Sequence, residues 1–121
     1  MKFLTTLVLA GLVFSFTSQA ETIVSCRKRN PFVYSAFTWV QIERDANQQL
    51  LFRYGNGIAD QMLEVYFDSP IERTSANTYH YQNAQYELSA KIVKNKLSFT
   101  LSAGGKSETR KNHECVLLPA N

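Results

Sequence analysis

Apolar and polar residues alternate along much of the chain, most cleanly in residues 84–103, AQYELSAKIVKNKLSFTLSA. Tyr86, Leu88, Ala90 and Ile92 alternate on the way in, and Leu97, Phe99 and Leu101 on the way out. Strand side chains point to opposite faces with a period of two, so this stretch predicts a hairpin with one buried and one wet face. A two-residue loop at Lys94 and Asn95 sets Ile92 against Leu97, Ala90 against Phe99, Leu88 against Leu101 and Tyr86 against Ala103. Every pair is apolar. A three-residue loop would put Ile92 against Ser98, and a slip of one residue would turn the apolar set outward.

The same alternation predicts the other strands. Residues 22–28 form the first, with Val24 and Cys26 on one face; Asn30-Pro31 breaks it, and residues 32–34 are an aromatic connector. Residues 37–44 place Val40 and Ile42 on one face, Phe37 and Trp39 on the other. After a turn at 45–49, residues 50–54 return. A five-residue loop pairs Ile42 with Phe52 and Val40 with Tyr54, a four-residue loop pairs Trp39 with Tyr54, and both registers stay open. Gly55-Asn56-Gly57 signals a turn, and residues 58–63 could form one helical turn. Residues 61–68 then read as a strand with Leu63, Val65 and Phe67 inward and Glu64, Tyr66 and Asp68 outward, ended by Ser69-Pro70.

Residues 71–77 are the longest polar loop. Residues 78–82 carry Tyr79 and Tyr81 on one face, and a turn at Asn83-Ala84 would pair Tyr81 with Tyr86 and Tyr79 with Leu88. Gly104-Gly105 turns again. Residues 106–112 are polar throughout, an edge strand or loop guarded by its lysines, and 114–118 form the last strand, ended by Pro119. About eight short strands with frequent turns predict an all-β fold, a small antiparallel barrel or sandwich.

The first twenty residues stand outside this pattern. Met1-Lys2 is a short basic start, the run from Phe3 to Phe16 is mostly apolar, and Ser18-Gln19-Ala20 puts small residues at the −3 and −1 positions of a cleavage site. These features read as a secretory signal peptide cut before Glu21. The apolar run is short for a membrane anchor and has no basic stop after it. Residues 21–121 are then a single β-domain, exported to the periplasm or secreted, with no transmembrane segment. Without Lys2 it holds 12 Lys+Arg against 10 Asp+Glu, a net charge of +2 that is too balanced to imply nucleic acid. Arg27-Lys28-Arg29 is the only basic cluster and reads as a solvated strand end. Two cysteines in a small exported domain predict one disulfide, Cys26 to Cys115, tying the first strand to the last.

Catalytic patterns are absent: no Gly-x-Ser-x-Gly elbow, no His-Glu-x-x-His, no glycine-rich phosphate loop. His80 and His113 are the only histidines and read as surface residues. Asp60, Glu64 and Asp68 would serve glycoside hydrolysis only at a suitable separation, and read as surface carboxylates. We therefore expect no catalytic, cofactor or metal residues. Six tyrosines, eight phenylalanines and one tryptophan are many for a small core, even after Phe3, Phe14 and Phe16 leave with the signal. Phe32, Tyr34, Trp39 and Tyr66 are candidates for an exposed platform, since aromatic faces stack on sugars and anchor protein interfaces.

Cys26, Cys115 and the segment Ser75-Ala76-Asn77-Thr78-Tyr79 give the chain a layout similar to the small periplasmic or membrane-anchored inhibitors of C-type lysozyme. That resemblance implies a β-barrel in which a loop, here carrying Ser75, Asn77 and Tyr79, enters a lysozyme cleft. The segment is shorter than the family's loop, lacks its glycine and basic residue, and is not followed by the family's Phe-Trp…Lys-Gly segment. Phe52-Arg53-Tyr54-Gly55 also resembles small exported bacterial proteins. The expected function is a non-catalytic envelope binding protein whose partner is a protein such as a lysozyme-type hydrolase. The alternative is a glycan or lipid ligand held by the aromatics. A small hydrolase using Glu64 or His80 ranks last.

Overall fold

The computed structural model describes residues 21–117; the expected signal peptide (1–20) and Leu118 and Pro119 at the far end lie outside the described residues. The alternating runs become eight strands: β1 (Glu21–Arg29), β2 (Ala36–Arg44), β3 (Leu50–Ile58), β4 (Gln61–Arg73), β5 (Thr78–Gln82), β6 (Tyr86–Val93), β7 (Lys96–Ala103) and β8 (Lys106–Leu117). Each pairs antiparallel with its sequence neighbour, and β8 closes on β1 to complete a barrel. The all-β expectation stands.

The β6–β7 hairpin has the predicted register throughout, from Val93 opposite Lys96 to Tyr86 opposite Ala103. Lys94 and Asn95 both adopt positive φ (52° and 64°), as the favoured two-residue hairpin loop demands. Leu88, Ala90, Ile92, Leu97 and Phe99 are buried. They meet Val24, Val40, Ile42, Phe52, Ile71 and Tyr79 along the barrel axis, with the Phe52 and Phe99 rings edge-on at 5.0 Å. An eight-stranded barrel is just wide enough for its own side chains, and these fill it. Cys26 and Cys115 lie directly opposite across the β1–β8 seam and are bonded. Between β2 and β3 the five-residue loop is the one formed, with Ile42 opposite Phe52. Asp45 fixes it by accepting the backbone N–H groups of Asn47 and Gln49.

Several expectations are corrected. Gly55-Asn56-Gly57 is not a turn; it lies inside β3. The glycines stand opposite Trp39 and Phe37 on the outer face of the sheet. A Cβ on Gly55 would lie 2.7 Å from Trp39 Cζ2, and one on Gly57 would lie 2.3 Å from Phe37 Cζ. Glycine here admits a ring, which in a strand is as common a reason for it as a turn. The real turn is at Ala59 and Asp60, with Ala59 at φ 58°, so no helical turn forms at 58–63.

β4 runs through Ser69-Pro70 to Arg73. Pro70 is tolerated because β5 pairs with β4 only at Glu72 and Arg73, leaving Pro70 on a free edge. The polar loop expected at 71–77 shrinks to a turn over 74–77. Tyr81 faces Leu88 and Tyr79 faces Ala90, two residues from the expected register. Asn83 makes the longer turn by accepting the N–H groups of Gln85 and Tyr86, and an even shift leaves every side chain on its face.

Residues 106–112 are the first part of a continuous β8; they pair with β7 on one side and, because β1 meets β8 only over Glu114–Leu117, form the expected edge strand rather than a loop. Leu63 and Val65 are exposed rather than inward. The β3–β4 register shifts twice, with Tyr66 and then Leu63 as the extra residue on β4. Each bulge inverts the parity of the residues beyond it.

The turns at 30–35, 59–60, 83–85 and 104–105 share one end of the barrel, called the upper end below. β4 outruns the short β5 there, and β8, which pairs with β1 only over Glu114–Leu117, outruns β1. Two ribbons, β3–β4 and β7–β8, therefore rise past their neighbours on opposite sides.

Candidate functional site

The upper end is built around Asn30. Its side-chain oxygen accepts the backbone N–H groups of Phe32 at 2.8 Å and Val33 at 3.2 Å, while its own N–H donates to Ala36 O. Ala36 N–H donates to Val33 O, and Ala59 N–H from the β3–β4 turn donates to Ser35 O at 2.9 Å. The loop thus has a fixed shape. It turns its apolar side chains out: Phe32 is 93% exposed and Tyr34 89%. Ser35 and Ala59, the two residues joined by that last bond, both adopt positive φ, 63° and 58°. Left-handed backbone costs a non-glycine residue about 1 kcal/mol or more, and such strain gathers at functional segments.

The other expected contact residues divide. Tyr66 is exposed on the β3–β4 ribbon, at the same end as Phe32 and Tyr34, with its ring 5.6 Å from that of Tyr54. Trp39 is only 2% exposed, which overturns its place in an exposed platform. Its ring lies over Gly55, its indole N–H donates to Asn56 O at 2.8 Å, and the Arg53 guanidinium sits 5.9 Å from the ring centroid. Gly55, which read as part of a turn, makes the room that holds it. Tyr79 is likewise buried in the barrel core and is withdrawn from any contact surface.

Ser75 and Asn77 are exposed but occupy a tight turn at the lower end. Ser75 and Thr74 hydroxyls bond Thr78 Oγ1, and the Arg73 guanidinium donates to Ser75 O and Ala76 O. That turn satisfies itself and stands apart from Phe32, Tyr34 and Tyr66.

The titratable residues also scatter. His80 Nε2 lies 2.8 Å from Glu87 Oε2 on the surface. His113, expected at the surface, is buried. Its Nε2 is 2.8 Å from Thr38 Oγ1, and Nδ1 has no partner. Burial, with help from the positive charges of Lys28 and Arg110, pulls its pKa down to about 4. No local signal marked it, because its neighbours Lys111 and Asn112 are polar; the bulge that turns it inward falls at Asn112, φ 62°. Asp60 faces Arg27 at 3.8 Å, Glu64 bonds Asn56, and Asp68 lies opposite Arg53. The three carboxylates spaced by four in sequence thus lie in three separate settings rather than in one cluster. Among the described residues no group of three or more His, Cys, Asp or Glu side chains is placed to hold a metal ion.

Sequence reasoning missed Val33, Ile58, Met62, Leu63 and Val65, all exposed at or near the upper end. Val33 was readable from its aromatic neighbours. Leu63 and Val65 were hidden by an alternation that pointed inward. Against known protein families, curated proteins and solved structures, the chain has no match.

Proposed function

We propose that this chain is an exported, non-catalytic binding module that takes a protein partner on the apolar upper end of its barrel. The observation that carries the reading is the loop of Phe32 and Tyr34, whose rings are almost fully exposed on a backbone braced from both sides. Burying one such side chain is worth about 1.5–3 kcal/mol, and rigid aromatic anchors lose little entropy on docking. Exposed apolar surface on this scale marks interaction sites. The barrel axis is filled by the protein's own side chains, which favours an external contact over an interior lipid or glycan.

A lysozyme-type hydrolase is one partner to test. The contact would be the Phe32–Tyr34 loop rather than the self-bonded turn of Ser75 and Asn77.

A photo-crosslinking residue at position 34, with position 75 as control, tests the reading in an envelope extract and with purified C-type lysozyme. The expected result is a discrete protein adduct from position 34 that Phe32→Ser removes. Adducts from both positions alike, or adducts with wall glycan alone, would overturn it.

A further inference from the structure

Two shallow grooves meet on the outer face of β1. One, of about 520 Å3, lies over the β1–β8 seam between Arg27, Arg29, Glu114 and Val116. The other, of about 410 Å3, lies beneath the exposed loop between Arg27, Arg29, Tyr34 and Phe37. Arg27 and Arg29 line both, so the grooves form one track that ends at the Phe32–Tyr34 loop. Arg27 is held in place, its guanidinium 4.4 Å above the Phe37 ring and 3.8 Å from the exposed carboxylate of Asp60. Arg29 is exposed and makes no ion pair among the described residues. Lys28 adds a third positive charge at the first groove.

Resting on the protein-binding reading above, we propose that this track receives an extended acidic segment of the partner. Carboxylates two residues apart meet Arg27 and Arg29, and an apolar side chain beyond them lies against the exposed ring of Tyr34. The spacing favours a polypeptide. Arg27 and Arg29 share one strand face two residues apart, about 6.6 Å along the strand, and alternate side chains of an extended peptide repeat at the same interval. Guanidinium groups take carboxylates in paired hydrogen bonds. Exposed ion pairs alone are worth little, so the aromatic end of the track supplies the burial that makes the contact selective. Asp60 occupies the Arg27 subsite in the free protein and gives way to the incoming carboxylate.

The test is fluorescence anisotropy with a labelled peptide carrying Glu at alternate positions followed by Phe. Two competitors accompany it: the same residues with the Glu pair made adjacent, and a sulfated oligosaccharide of equal charge. Binding of the alternating peptide should weaken about tenfold in Arg27→Gln/Arg29→Gln, as expected for two lost charge-assisted contacts. Arg29→Gln, which removes no ion pair or side-chain hydrogen bond among the described residues, should weaken it in part. Asp60→Asn should strengthen it, and Lys106→Gln/Lys111→Gln should leave it unchanged. Absence of binding, indifference to the arginine variants, equal binding of the adjacent-Glu peptide, or tighter binding of the sulfated oligosaccharide would each overturn the proposal. The position-34 crosslink separates the two readings. If it persists undiminished in Arg27→Gln/Arg29→Gln, the protein-binding module stands and the acidic segment falls. If no protein is crosslinked while the alternating peptide still binds through the arginines, the site stands without that partner.

Discussion

Two ribbons outrun their neighbours in this barrel, β3–β4 where β4 passes β5 and β7–β8 where β8 passes β1. Both leave strand backbone without a neighbour on one side, and they treat it differently. On β8 the exposed run begins Lys106, Ser107, Glu108, Thr109. Hydroxyl pairs bridge it to β7, Ser102 with Ser107 at 2.7 Å and Thr100 with Thr109 at 2.9 Å. On β4 the exposed run holds Met62, Leu63, Val65 and Tyr66. Charge guards the first edge against strand addition. The second is guarded by geometry, since two bulges and Pro70 interrupt the ladder that another strand would need. Bulges protect the backbone and leave the side chains free. The β3–β4 ribbon can therefore present apolar surface to a partner without inviting edge-to-edge aggregation, whereas the part of β8 that outruns β1 carries no large exposed hydrophobic.

The ribbons are also anchored differently, and the largest predicted effect breaks that difference. The foot of β8 is tied to β1 by Cys26–Cys115, across 89 residues of sequence. Cys26→Ser/Cys115→Ser should cost about 4 kcal/mol in urea unfolding, with hydrogen exchange rising first along β1 and β8 while β3–β4 stays protected. The β3–β4 ribbon is anchored instead by rings on glycines. A Cβ on Gly55 would fall 1.9 Å from Glu64 O as well as against Trp39. Gly55→Ala should cost about 3 kcal/mol and change the emission of the single tryptophan. Gly104→Ala, in open space at φ +59° on the other ribbon, should cost about 1 kcal/mol.

His113 adds a pH-dependent anchor to β8 alone. Its folded pKa, about 4, lies below the ordinary 6.5. Between those values the unfolded chain binds more protons, so stability is complete above pH 6.5, falls as pH drops towards 4, and is level below it. The total is up to about 3 kcal/mol. His113→Phe should remove that slope in melts recorded from pH 7 to pH 4.

Ser35→Gly relieves left-handed backbone beside the upper loop and should stabilise the fold by about 0.5–1 kcal/mol. Smallest in stability, and sharpest for the comparison, are exchanges of edge chemistry. Val65→Lys should change stability by less than about 0.5 kcal/mol and weaken the position-34 crosslink. Lys106→Val/Lys111→Val should leave that crosslink intact and produce self-association in sedimentation.

Much of the fold was legible because strand alternation is a local property. The register of β6–β7 follows from one residue-by-residue match of apolar pairs, and the Cys26–Cys115 pairing from the chain holding just two cysteines. Phe32 and Tyr34 were legible as exposed aromatics because they follow a Pro in a connector. Trp39 was not, because the space for its ring comes from Gly55, sixteen residues away in sequence, which read locally as part of a turn. Leu63 and Val65 misled for a related reason: a bulge is a mismatch between two strands, and neither strand announces it alone.

By itself the amino-acid sequence determined the strand count, the register and inward face of the β6–β7 hairpin, and the disulfide. Each depends on periodicity or on a count that no neighbour can alter. Only the tertiary structure decided which aromatics stay outside, where β4 changes face, that His113 is buried and neutral, and that Arg27 and Arg29 end beside Tyr34. Those outcomes depend on which strand lies opposite, and strand partners are chosen by closure of the whole barrel rather than by any one stretch of chain.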